Sequence, residues 1–351
     1  MTGRSRVALL VSLAALAVIV VSRLLRPDDS SGPHEISGLT MGTLFNVTLG
    51  DGDVTAADLS RIRDTIQSRL DYIERLMSTY DVWSELSRFN RHESVAPFAV
   101  SDETLEVFSA ARVVSEHSGG AFDVTVKPLV DAWGFGPPGR PPVPPTDSVL
   151  AALAPRIGYR LIAIDAESST LTKANPQTVA DLSAIAKGYG VDQVSAALEA
   201  LGLASFLVEV GGEVKARCRK RDGSAWNVGI ERPDADRRTA YETLRLVDAA
   251  VATSGDYHNY YQLDGIRYSH IIDPRTKAPI RHLGASVTVV HAEAAFADAW
   301  ATALSVLGPE QGMVVAEREG LAALFLVRSG NGFEVRRTRE YRRIAGGAGE
   351  D

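Results

Sequence analysis

Hydrophobic positions recur along this chain with two different periods. Ile62, Ile66, Leu70, Ile73 and Met77 fall three or four residues apart, the spacing that gathers side chains on one face of a helix. A second helix is predicted over Asp102–His117, started by the hydroxyl of Ser101 and stopped by Gly119-Gly120. Two more are expected around Gly188–Leu201 and over Phe296–Leu307. Phe45-Asn-Val-Thr-Leu49 alternates with period two and reads as a strand. Phe206–Val210, ended by Gly211-Gly212, reads as a buried strand and Trp226–Ile230 as another. Leu321–Val327 and Phe333–Arg337 are the expected closing strands. Pro137–Pro145 is too rich in proline for regular structure and is expected as a surface loop. Helices and strands mix without a steady βαβ rhythm, which predicts an α+β fold in one elaborated domain.

The N-terminus has a different pattern. Arg4 and Arg6 precede an apolar run from Val7 to Val21, interrupted by Ser12 alone, followed by Ser22, Arg23, Leu24, Leu25 and Arg26. This reads as a secretory signal or an uncleaved anchor, with the anchor favoured because no small-x-small cleavage site follows the apolar run before Pro27. The run is short against the ~20 residues of a spanning helix, but Leu24 and Leu25 extend it and Arg23 can snorkel. The expected organisation is an anchor or signal over 1–26, a polar linker over 27–37, the domain over 38–340 and a polar tail over 341–351. The domain is expected to be membrane-tethered, outside the cytoplasm.

Composition narrows the function. Of 351 residues 45% are hydrophobic, ample for a core, and the net charge of -7 excludes a broad basic surface, so no nucleic-acid partner is expected. Arg336, Arg337, Arg339, Arg342 and Arg343 are a local exception, either a solvated strand edge or a partner or lipid contact. Cys218 is the only cysteine, which excludes an intrachain disulfide, a Cys-rich zinc site and an N-terminal lipidated cysteine.

Neither common phosphate loop is present, and no Gly-x-Ser-x-Gly elbow. If Ala297–Thr302 is helical, Asp298 and Thr302 stand at i and i+4 and project oxygens from one face. That pair suits a hard cation such as Mg²⁺, or a helix cap or solvated face. Gly119-Gly120-Ala121 before Asp123, and Gly211-Gly212, allow close backbone approach. Asp181 and Lys187 bracket a segment that either reaches a ligand or starts a helix with Asp181 as cap. Thr253-Ser-Gly-Asp-Tyr257 reads as a polar turn, and His270 as a structural residue or a catalyst. Trp133-Gly-Phe-Gly136 and Met77-Ser-Thr-Tyr80 supply aromatics for a flat ring or for the core.

In one order along the chain, these segments together resemble the ApbE family of FAD:protein FMN transferases. The matching blocks are Met41-Gly-Thr43, Met77–Asp81 with Ser84–Asn90, Gly119–Thr125 with Pro128–Val130 and Trp133–Gly136, and Asp181–Asp192. Val210–Glu213, Ala252–Tyr257, His270–Thr276 and Ala297–Leu304 complete the set. The resemblance implies a T-fold-related domain that moves FMN from FAD to a threonine hydroxyl of a target flavoprotein, such as a redox-pump subunit, with bound Mg²⁺ and release of AMP. It implies metal contacts at Asp298, Thr302, Ala301 and, through its carbonyl, Ala184. FAD contacts are implied at Met41, Tyr80, Ala121, Phe122, Asp123, Asp181, Lys187 and Ile272, and His270 matches the expected base. Lys187 is also expected to steady developing phosphate charge as a point cation. Lys277 stands where the family usually has glycine, so a different local backbone or an extra charge near the cleft is expected. Two rival functions use the same residues: an Mg²⁺-dependent FAD pyrophosphatase, with water as acceptor, and a tethered FAD-binding protein.

Overall fold

The computed structural model describes residues 34–50, 54–136, 143–233, 239–256 and 259–346. The expected anchor, the start of the linker, residues 137–142 of the Pro-rich stretch, Tyr257 and residues 347–351 lie outside the described residues. No described helix is long and apolar enough to cross a membrane.

Eight segments pair into one antiparallel sheet whose strands lie side by side in chain order. They are β1 (His34–Thr40), β2 (Thr43–Leu49), β3 (Phe206–Val210), β4 (Glu213–Arg217), β5 (Ala249–Gly255), β6 (Gly284–His291), β7 (Ala322–Ser329) and β8 (Gly332–Arg337). Two-residue turns close β1–β2 and β3–β4. Met41-Gly42 and Gly211-Gly212 all have positive φ, as the hairpin turn that matches strand twist requires. Helix α1 (Ala56–Met77), α2 (Asp102–His117), α3 (Ala186–Ala200), α4 (Ala294–Arg318) and α5 (Arg339–Gly346) are the main helices used below. Thr55 and Asp58 form a capping box at the start of α1, and the predicted stripe from Ile62 to Met77 is buried.

The sheet is covered on both faces. Ala323, Phe325 and Val327 of β7 pack with the helices, while Ala322, Leu324 and Leu326 join Trp226, Leu244 and Tyr341 on the other side. Burial on both faces explains why β7 is an unbroken apolar run and does not alternate. Trp226–Ile230, expected as a strand, extends to Glu231 and pairs with Ala240–Leu246 as a ribbon on that second face.

Three boundaries differ from expectation. The domain begins at His34, inside the expected linker, because Ile36 pairs with Val47 and is buried. Residues 341–346 are not tail: they belong to α5, and Tyr341 is fully buried with its hydroxyl 3.0 Å from Glu242 Oε1. Thr253–Gly255 do not turn but continue β5.

Helix α4 runs past the expected Leu307 to Arg318, with a break at Gly308 (φ 75°) before Pro309. Proline has no N–H, so the Ser305 carbonyl four residues earlier loses its helical donor. His282 supplies one: its Nε2 lies 2.8 Å from the Ser305 oxygen, and Gly284 N–H donates to Nδ1 at 3.1 Å. Both contacts fit the tautomer protonated at Nε2. Burial holds this imidazole below its usual pKa, and it sits neutral in the helix break.

Candidate active site

The centre of the site is the crossing of α3 and α4, where each helix caps the other. Asp298 of α4 accepts from the Gly188 N–H of α3 at 3.2 Å. Asp192 of α3 accepts from Ala294 and Ala295 N–H at 3.1 and 2.9 Å. Carboxylates at helix N-termini satisfy orphan donors and complement the dipole. The crossing is close because residue 188 is glycine. A Cβ there would lie 2.2 Å from the Ala294 carbonyl oxygen.

This geometry gathers charge in a buried place. Lys187 Nζ lies 2.8 Å from Glu213 Oε1 and 3.7 Å from Asp298 Oδ2. Asp298 and Glu213 are 5% and 4% exposed, and Glu213 Oε2 has no hydrogen-bond partner. Burial, with the Asp298 charge beside it, pushes the Glu213 carboxyl above its usual range. Burial also raises Asp298, against Lys187 and the Gly188 N–H. For Lys187 burial works the other way, but the two carboxylates outweigh it and hold the ammonium above its usual range. Two buried carboxylates face one cation, and the imbalance is of the kind a bound cation relieves. No three His, Cys, Asp or Glu side chains among the described residues converge as a metal site, so a cation here would take mixed oxygen donors.

From this centre a cleft of about 500 Å³ opens. Tyr80, Ala121, Phe122, Asp123, Asp181, Ala184, Lys187, His270, Ile272, Asp298 and Thr302 line it together. Met41 and Ala301 do not. Met41 sits in the β1–β2 turn with its N–H on Glu74 Oε2 at 3.2 Å, and Ala301 is buried in the helix core. Tyr80 stands at the wall with 83% of its surface exposed. Asp181 is no helix cap: α3 starts at Ala186, and Asp181 Oδ1 accepts from Ser183 N–H in the loop before it. Both oxygens of Asp123 already serve the fold, accepting from Thr125 and from Tyr159 N–H. Of the aromatic segments, Phe135 lines the cleft while Trp133 and Met77 are core.

His270 follows a ribbon made of Tyr260–Leu263 and Ile266–Ser269. Its Nδ1 lies 2.9 Å from the Asn259 carbonyl. A carbonyl can only accept, so Nδ1 carries the proton and the lone pair of the neutral ring is on Nε2. Lys277 keeps the backbone of a glycine, with φ of 62°, so the expected change of local path does not occur. Its N–H bonds the Asp273 carbonyl and its own carbonyl accepts from Trp133 Nε1 at 2.9 Å, and these bonds hold the turn.

Residue patterns missed Glu213 and Asn259 as parts of the site. A charged residue directly after a Gly-Gly turn that ends a buried strand was the available signal for Glu213. Asn259 acts through its backbone, and no side-chain pattern shows that. The C-terminal arginines read as a solvated edge: Arg336 pairs with Glu310 and Glu334, Arg337 with Glu242 and Arg343 with Glu340.

Comparison with known proteins gives the family. The ApbE family profile matches residues 41–325. The FAD:protein FMN transferase of Vibrio cholerae is 45% identical over 299 residues, 85% of this chain and 89% of that protein. Its counterpart from Haemophilus influenzae is 40% identical over 314 residues, 88% and 90% of the two chains. Among solved structures, the flavin transferase ApbE from Vibrio cholerae superposes with a TM-score of 0.81 at 41% identity, covering 90% of this chain and 99% of the other. The apo form of the Pseudomonas stutzeri flavinyl transferase ApbE gives 0.82 at 39% identity, over 90% and 97%. With the family profile spanning most of the domain and relatives this similar over nearly their full length, the chain belongs to the ApbE family.

Proposed function

We propose that the protein transfers FMN from FAD to a threonine hydroxyl of a target flavoprotein and releases AMP. One observation carries the reading: a single cleft brings together the Asp298–Thr302 oxygens, the Lys187 ammonium and an imidazole whose lone pair is on Nε2. The threonine oxygen attacks the phosphorus of the FMN half of the pyrophosphate, and the bond from that phosphorus to the bridging oxygen breaks. The hydroxyl proton passes to His270 Nε2, since a threonine hydroxyl is a weak nucleophile without a positioned base. Lys187, kept protonated by its two carboxylates, steadies phosphate charge as a point cation. Tyr80 and Phe135 offer apolar wall to a flat ring.

The residues present fit magnesium. Asp298, Thr302 and Ala184 line one cleft, and a carboxylate, a hydroxyl and a backbone carbonyl would serve as hard oxygen donors, few enough to leave room for phosphate and water. The unpartnered Glu213 Oε2 and the excess of buried carboxylate support a divalent cation beside them. When bound, the metal neutralises pyrophosphate charge and makes AMP a better leaving group. The hydrophobic segment 1–26 supports a membrane tether with the domain outside the cytoplasm, where its target would be another membrane-associated or secreted flavoprotein.

The test follows flavin fluorescence on a denatured target carrying an acceptor threonine, together with AMP release. Wild type is expected to yield both, and Asp298→Ala to lose both by about a hundredfold or more. AMP with free FMN and an unlabelled target would replace this reading with the pyrophosphatase. Intact FAD throughout would leave a flavin-binding protein.

A further inference from the structure

The ribbon that carries His270 is held from outside itself. It consists of four residue pairs, from Tyr260↔Ser269 to Leu263↔Ile266, and a two-stranded ribbon of this length is marginal alone. Asn259 and His270 form the next step of the same ladder, with His270 N–H 3.1 Å from the Asn259 carbonyl. The carbonyl that sets the ring tautomer is therefore presented only while the ribbon keeps its register. A slip of one residue would turn each side chain to the other face.

Asp256, directly after β5 and 6% exposed, joins the ribbon to the sheet. Its N–H bonds the Ala285 carbonyl of β6 at 3.2 Å. Its carboxylate is gripped by both terminal nitrogens of Arg328 from β7, and Arg328 also donates to the Gly284 carbonyl at 3.1 Å. Asp256 is thus rigid with the sheet. On its other side Arg267, from the second strand of the ribbon, donates to the Asp256 carbonyl at 2.6 Å and lies 3.6 Å from Oδ2. The Arg267 guanidinium stacks over Tyr260 of the first strand, 4.0 Å from the ring centroid. One arginine clasps both ribbon strands and ties them to the sheet through one aspartate.

We propose that Asp256 is a positioning residue for FMN transfer: through Arg267 it holds the ribbon in the register that presents the Asn259 carbonyl to His270. The proposal rests on His270 being the base. Asp256 is absent from the cleft lining, so it is assigned a role through Arg267 and not at the reacting atoms.

A double-mutant cycle tests it. Single-turnover flavin transfer is measured for wild type, Asp256→Asn, His270→Ala and the double variant, with FAD affinity measured alongside. Asp256→Asn is expected to slow transfer about ten- to a hundredfold, the range that a small misplacement of a reacting group produces. FAD affinity should stay within about twofold, because the losses of a positioning group fall on the chemical step. The double variant should be no slower than His270→Ala, since a residue acting only through His270 has nothing left to act on. The imidazole ¹⁵N shifts of His270 should report the Nδ1–H form in wild type and a mixture of tautomers in Asp256→Asn. Additive losses would overturn the proposal, as would an unimpaired Asp256→Asn. Full activity of His270→Ala would instead overturn the reading of the base, which the other arms leave standing. If Asp256→Asn does not fold, Arg267→Met at the half-buried end of the clasp takes its place with the same expected results.

Discussion

At the scale of residues, Lys277 stands on unfavourable backbone and His282 is held from its charged form. Lys277 adopts φ of 62°, a region that L side chains enter at a cost of about 1–2 kcal/mol. Lys277→Gly is therefore expected to raise stability, by up to about 1 kcal/mol once the greater freedom of unfolded glycine is counted. A urea-midpoint shift in the opposite direction would mean that the lysine side chain stabilises the turn. His282 is buried and neutral, below its ordinary pKa. The unfolded chain takes up a proton near pH ~6.5 while the folded imidazole resists it. The stability that His282 contributes is thus complete above that pH and is lost as pH falls through the lower folded value. His282→Leu should be destabilised at pH 7.5, by about 1–3 kcal/mol for an orphaned Ser305 carbonyl. The gap to wild type should narrow toward pH 5. A gap independent of pH would contradict the neutral assignment.

At the scale of elements, the α3–α4 crossing decides whether the site exists. Asp298 and Thr302 were legible as an i, i+4 pair, but their meaning depends on which face of α4 points to the cleft. The pattern could not show this, because α4 is buried nearly all round and has no polar face to orient it. Gly188 sets the approach: Gly188→Ala would force its Cβ to 2.2 Å from the Ala294 oxygen. Pushing the helices apart should cost about 1–3 kcal/mol. The same change should break the Gly188–Asp298 bond and lower transfer more than FAD binding. Gly332→Ala, with nothing within 4 Å of the added carbon, is the control and should change neither. Equal effects of both substitutions on activity would show that close helix contact does not matter.

At the scale of the whole molecule, the described residues from His34 to Gly346 form one compact unit. A fragment beginning at His34 is expected to melt cooperatively at the temperature of the full chain and to modify a soluble target at the same rate. A lower melting temperature would mean that residues before His34 contribute to the fold. Helix α5 closes the second face of the sheet with Tyr341, 0% exposed. The arginine-rich sequence around it hid this, since its one buried side chain is outnumbered by solvated charges.

The amino-acid order by itself determined the elements and the family. The helical stripe from Ile62 to Met77, the capped start at Ser101, the closing strands and the order of the ApbE-like blocks are all local patterns, set by side-chain period and backbone chemistry. Most of the residues the resemblance pointed to stand together in one cleft, except Met41 and Ala301. Only tertiary structure decided the partners. Mutual capping by Asp192 and Asp298, Lys187 between Glu213 and Asp298, His282 in the break of α4 and the Asn259 carbonyl behind His270 join residues far apart in the chain or act through the backbone. Such contacts arise from packing, and no window of sequence records which buried donor will meet which acceptor.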